Sequence, residues 1–212
     1  MLRSHRARRL GIALLTALSL GFGLAACGND SDGGRNASDE QTAANGDVFN
    51  SADVTFATDM IPHHAQAIEM VTLTDTRTLD PEVKKLADRI RDAQAPEVET
   101  MVDWLTAWGV DIPDTSIDHA NAGHDMSDMP SMASSDMPGM MSADDMQALA
   151  NASDAEFEDM WLDMMVDHHQ GAIEMARTEQ AEGKYPGALS LAGSIENSQQ
   201  AEIEQIKNLL GS

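Results

Sequence analysis

The chain has 212 residues, with 36 acidic against 13 basic side chains and a formal charge of −23 at pH 7. So acidic a surface repels phosphate backbones and argues against a nucleic-acid partner, while it raises the local concentration of cations. A single cysteine rules out an intramolecular disulfide, so the folded part must be held by packing or by bound metal.

Arg3, Arg6, Arg8 and Arg9 precede an apolar stretch from Leu10 to Ala26, which runs into Leu24-Ala25-Ala26-Cys27-Gly28. A charged start, an apolar middle and small residues before a cysteine have the form of a bacterial lipoprotein signal peptide, residues 1–26, with Cys27 as the lipidation site. A transmembrane anchor is the alternative, but the stretch is short for a span and rich in Ala, Gly and Ser. Either way the folded part is expected outside the cytoplasm, held at the cell membrane. Loss of four arginines and no acid then takes the formal charge from −23 to −27. Residues 27–47, mostly Gly, Asn, Asp, Ser and Ala, are expected to be a flexible tether.

From about Ser51 to Thr78 a helical period appears, with Phe56, Met60, His63, Ala67 and Met70 on one stripe. Pro62 lies inside it and is expected to kink the helix or mark a local restart. Leu79-Asp80-Pro81 starts a second helix, whose stripe Val83, Leu86, Ile90, Glu97, Met101, Leu105 and Trp108 ends near Gly109 and Pro113. Residues 110–143 show no sustained period and are expected to be a loop or disordered linker. Ser153 or Asp154 caps a third helix carrying Trp161, Met165, His168, Ala172 and Met175, and a fourth follows Tyr185-Pro186.

Residues 60–105 align on 165–210 without a gap, and 15 of the 46 positions are identical. The identities include Pro81/Pro186, Ile90/Ile195, Gln94/Gln199 and Glu97/Glu202. An internal duplication of a helical hairpin follows, and two such hairpins make an all-α four-helix bundle over residues 48–212.

The duplicated motif reads Met60-x-x-His63-His64-x-x-Ala67-Ile68-Glu69-Met70 and Met165-x-x-His168-His169-x-x-Ala172-Ile173-Glu174-Met175. Adjacent histidines lie about 100° apart on a helix, and both rows they occupy are apolar, so all four rings can face the bundle. Met60 lies within one turn of both histidines of its copy, and Met165 likewise. If the first hairpin turns near residues 79–80, His64 comes level with Gln94 and Ile61 with Glu97; His169 comes level with Gln199. Gln94, Glu97, Gln199 and Glu202 interrupt apolar stripes and need polar partners, which the histidines can supply. Two readings stay open: a buried hydrogen-bonded network that fixes hairpin register, or metal ligation by His63, His64, His168 and His169 with Met60 and Met165. Glu69 and Glu174 fall on the opposite side of the helix and are expected outside the ligand set.

The linker carries an independent signal. His119, His124, Met126, Met129, Met132, Met137, Met140 and Met141 crowd a polar segment that has no apolar stripe for methionine to fill. Thioethers favour Cu(I) or Ag(I), and imidazole also accepts Cu(II). The alternatives are a hydrophobic staple docking the linker on the bundle, or an oxidation sink.

The doubled Met-x-x-His-His-x-x-Ala-Ile-x-Met string resembles the signature of the bacterial family called domain of unknown function 305, over about residues 48–210. The resemblance implies a ferritin-like four-helix bundle, secreted or lipid-anchored, with some relatives acting in copper binding and copper resistance. The copies differ at Pro62/Asp167 and Ala65/Gln170, so the two halves need not bind metal equally. A ferritin-like fold invites a di-iron oxidase reading, but that chemistry uses Glu-x-x-His on two helices and the chain has none. Hydrolase motifs are also missing. The sequence therefore points to a non-enzymatic, lipid-anchored, extracytoplasmic copper-binding protein for sequestration or tolerance. A non-metal envelope interaction protein is the competing class.

Overall fold

The computed structural model describes residues 40–115 and 137–211. Two-residue strands β1 (Gln41–Thr42) and β2 (Val48–Phe49) pair antiparallel. Five helices follow: α1 (Ser51–Thr74), α2 (Pro81–Trp108), α3 (Ala143–Asn151), α4 (Asp154–Glu182) and α5 (Pro186–Leu210). The fold is all-α apart from the β1–β2 ribbon, and α1–α2 and α4–α5 are the two long hairpins that the duplication requires. Among the described residues no helix is long and apolar enough to cross a membrane.

The helix starts are set by local chemistry. Asn50 accepts the N–H groups of Ala52 and Asp53 at 3.0 and 3.1 Å, and the Asp53 carboxylate accepts the Asn50 N–H at 2.6 Å. Pro81 and Pro186 each occupy the first turn of their helix, where the missing N–H costs nothing. The halves are laced together reciprocally. Asp53, at the start of α1, accepts the N–H groups of Lys184 and Tyr185 in the α4–α5 turn at 2.9 and 2.8 Å. Asp154 and Glu158, at the start of α4, accept those of Thr78 and Asp80 in the α1–α2 turn at 3.2 and 2.7 Å. Each copy thus begins at the other copy's turn, as an antiparallel α1–α4 pair demands.

Several expectations need correction. α1 ends at Thr74, not Thr78: the next residues turn away so that Arg77 donates to the carbonyls of Ala150 and Ala152. The helix runs without interruption across Pro62, so no restart occurs, and α2 does the same across Pro96. Each proline forgoes one backbone hydrogen bond, a loss the long apolar faces on either side offset. The tether reading fails at its end, where residues 41–42 pair with 48–49 and Phe49 stacks on Trp108 at 4.5 Å between centroids. The loop reading of 110–143 stops too late. Residues 137–142 are held against the bundle, and α3 begins at Ala143 behind a capping box in which Ser142 and Asp145 exchange hydrogen bonds.

The core is divided. One apolar lobe gathers Met70, Leu86, Ile90, Phe157, Trp161, Met165 and Ile206; the other gathers Phe56, Met60, Ile61, Met101, Leu105, Ala172 and Ile195. Burying each large side chain contributes roughly 1.5–3 kcal/mol. Between the lobes along α1 lie His63 and His64; along α4, His168 and His169; along α2, Gln94; along α5, Gln199. All six are buried, with the four histidines at 0 % exposure. The duplicated motif therefore builds a polar layer across an otherwise apolar core.

Candidate metal centre

The layer brings the four bundle histidines and both motif methionines into one buried region. Met60 and Met165 are at 0 % exposure and belong to opposite lobes, so a thioether lies one turn from the layer on each side. The rings of His63 and His168 meet at 3.8 Å between centroids, tilted by 40°.

Outer contacts fix the imidazole tautomers. His64 Nε2 lies 2.7 Å from Glu97 Oε2, and His169 Nε2 lies 2.6 Å from Glu202 Oε2, the same bond in each copy. A carboxylate oxygen accepts, so Nε2 is the donor in each of these bonds. His63 Nε2 lies 3.1 Å from the Pro138 carbonyl, which likewise only accepts. Among the described residues, the Nδ1 atoms of His63, His64 and His169 are buried without a hydrogen-bond partner, as are both ring nitrogens of His168. Leaving a buried polar atom unpaired costs about 1–3 kcal/mol. An imidazole has at most one free lone pair, so the four rings can offer at most four nitrogens to a ligand, and the Gln94 and Gln199 amides of the same layer are unpaired with them among the described residues.

Burial is the main force on their protonation. It lowers the His63 pKa to about 3, helped by the neighbouring His64 and His169 and opposed by the Pro138 carbonyl. His168 is held well below the ordinary value by burial first and then by His63, His169 and His64, opposed by the His63 backbone. Both rings are neutral at physiological pH, the form that ligates a metal.

The level arithmetic is off by one turn. Glu97 and Glu202, not Gln94 and Gln199, bond His64 and His169. Helical side chains lean toward their own N-termini, so across an antiparallel hairpin each head group reaches past the residue level with its Cα. Gln94 and Gln199 are buried in the same layer, and their side-chain amides meet no hydrogen-bond partner among the described residues. Glu69 is half-buried and Glu174 exposed. Among the described residues no three of His, Cys, Asp or Glu are grouped so as to hold a metal. The histidines that approach most closely are His63 and His168, and imidazole with thioether is the donor chemistry that a soft ion such as Cu(I) accepts.

The sequence reading missed how the linker ends. Met137, Met140 and Met141 are half-buried, and the Met140 N–H donates to the Met137 carbonyl at 3.3 Å. Gln66 clasps the Met141 backbone twice, accepting its N–H at 2.8 Å and donating to its carbonyl at 2.9 Å. The Pro138-Gly139 pair was a legible turn signal, but nothing in it announces a contact with His63. His119, His124, Met126, Met129 and Met132, and Cys27, the expected lipidation site, lie outside the described residues.

Fold and site together define a class: a duplicated helical hairpin whose two His-His pairs share a buried layer with flanking methionines. The chain belongs to the family described as Domain of unknown function (DUF305), whose model matches residues 53–210. No curated protein sequence matches it. It is similar to the crystal structure of a putative secreted protein of this family from Streptomyces coelicolor, at 31% identity and TM-score 0.64, over 76% of this chain and 93% of that one. A family fragment from Deinococcus radiodurans has 26% identity and TM-score 0.63, over 81% and 99%. The protein CopM in its Cu(II)-bound form has 31% identity and TM-score 0.58, over 75% and 95%. CopM structures also exist in Cu(I)-bound, silver-bound and apo forms.

Proposed function

We propose that this protein binds copper, as Cu(I) and Cu(II), outside the cytoplasm, for sequestration or tolerance and without catalytic turnover. The observation that carries the reading is the set of four buried imidazoles whose Nδ1 atoms have no hydrogen-bond partner among the described residues, with His63 and His168 held neutral by burial. His63, His64, His168 and His169 are the ligands, with Met60 and Met165 as soft donors. Glu97 and Glu202 orient His64 and His169, while Gln94 and Gln199 lie in the same layer as supporting residues. The likeness to CopM, solved with Cu(I), Cu(II) and silver, supports the choice of metal. His119, His124, Met126, Met129, Met132, Met137, Met140 and Met141 form a looser capture arm that passes metal inward. We take the hairpins as a ferritin-like four-helix bundle, and the protein as tethered to the membrane through Cys27 after removal of residues 1–26.

The register-network reading draws on the two His–Glu bonds. It accounts for Nε2 of His64 and His169 and leaves every Nδ1 unexplained.

The test is titration with Cu(I), Cu(II), Zn(II) and Fe(II) of the protein starting at Gly28. Two variants accompany it, one with all four bundle histidines changed to Ala and one lacking residues 119–136. Copper binding is expected to fall in both, and to lose its tightest component only in the histidine variant. Undiminished copper binding in both ends the proposal, and loss in the linker deletion alone makes the histidines structural.

A further inference from the structure

The two copies of the motif diverge at one equivalent position in a way the bundle itself does not require: Gln66 in the first, Gly171 in the second. Both residues touch the same segment. Gln66 holds the Met141 backbone by two hydrogen bonds. Gly171 faces the Pro138-Gly139 peptide so closely that a Cβ there would lie 2.0 Å from the Pro138 carbonyl oxygen. A glycine inside α4 costs about 1 kcal/mol relative to alanine, and the close approach of this turn explains why it is there.

The turn has the type II pattern, with proline second, Gly139 third at φ +75, and the Met140 N–H closing on Met137. In that form the central peptide is flipped relative to type I, so the direction of the Pro138 carbonyl depends on a residue that tolerates positive φ. That carbonyl lies 3.1 Å from His63 Nε2. It stands to His63 as Glu97 stands to His64 and as Glu202 stands to His169.

We propose that the Met137–Met141 turn is a positioning element of the histidine layer. The Pro138 carbonyl holds His63 as its Nε2–H tautomer and turns Nδ1 inward, and Gln66, Gly139 and Gly171 keep that carbonyl in place. The linker thereby completes the bundle site. The consequence for metal affinity rests on the copper reading; the tautomer does not, so the two can fail separately.

The experiment is nitrogen NMR of the imidazoles in metal-free protein, followed by Cu(I) competition with a chromophoric chelator. The parent is compared with Gln66→Ala, Gly139→Ala and Gly171→Ala, and with Pro138→Ala, which keeps the carbonyl, as control. Gly171→Ala favours the helix while displacing the turn, so it reports even if Gly139→Ala folds poorly. The expected result is a single Nε2–H tautomer at His63 in the parent and the control, mixed tautomers in the other three, and Cu(I) affinity lowered about tenfold or more in those three. A His63 tautomer in Gln66→Ala and Gly171→Ala identical to the parent's overturns the proposal, as does an Nδ1–H tautomer in the parent. Altered tautomers with unchanged Cu(I) affinity overturn the role in metal binding. A parent that binds no copper ends the copper reading, and the tautomers still decide the positioning role.

Discussion

His63 and His168 occupy the same position in the two copies of the motif and face each other across the core, ring centroids 3.8 Å apart. Two neutral imidazoles this close, each with a ring nitrogen that no described neighbour satisfies, give up hydrogen bonds that a purely structural pair would make. Replacing both by Leu is expected to stabilise the metal-free fold, because unsatisfied polar atoms give way to apolar ones of similar volume. Urea unfolding of the double variant checks this; the lost His63–Pro138 bond sets about 1 kcal/mol against the gain, and destabilisation by more than that would show that the rings make bonds beyond it.

Glu97 and Glu202 make the same bond in the two halves, so their loss should act in the same way. Glu97→Ala and Glu202→Ala each leave a buried Nε2–H without a partner, at a cost of about 1–3 kcal/mol in unfolding free energy. They should also lower copper affinity roughly 10–100-fold by freeing the ring. Equal effects in the two variants are expected, since the 2.7 and 2.6 Å contacts match.

Met60 and Met165 separate the two oxidation states. Met→Leu conserves volume and should cost less than about 1.5 kcal/mol in stability. Removal of the thioethers should weaken Cu(I) binding while leaving Cu(II), which the imidazoles also accept, less affected. Parallel Cu(I) and Cu(II) titrations of the double variant decide the point; equal losses for both would place the methionines in the core alone.

Glu179 gives the fold an alkaline sensitivity. It is buried against Asp53, and burial first, with Asp53 second, raises its pKa to about 9 from an ordinary value of 4.5. The folded state therefore holds a proton that the unfolded chain releases above 4.5, so stability is full below that pH and declines as pH rises toward 9. His63 works from the other side. Its lowered pKa means that the unfolded chain takes up a proton below 6.5, which the folded ring refuses down to about 3, so acid removes stability across that window. Glu179→Gln should raise the melting temperature near neutral pH and leave it unchanged in acid. No gain near neutral pH would mean that Glu179 ionises in place.

The duplication, the helix starts at Pro81 and Pro186 and the buried histidine layer were legible because each is written in side-chain identity and repeated at a fixed interval. The partner of His64 was not, since the choice of Glu97 over Gln94 depends on the lean of side chains across an antiparallel pair rather than on the level of their Cα atoms. α3 was missed because its nine residues bury only Leu149, so the segment shows no sustained apolar period. The support for His63 was invisible for a different reason. It comes from a backbone carbonyl at Pro138, which every residue possesses and no motif records.

The most direct measurement is copper K-edge X-ray absorption on the protein lacking residues 119–136, loaded with one equivalent of Cu(I). With the arm gone, the account predicts imidazole nitrogen and thioether sulfur scattering together around copper, with the nitrogen component lost in the His63→Leu, His168→Leu double variant. A spectrum of oxygen ligands only, or one the double variant leaves unchanged, would contradict a copper site in the histidine layer.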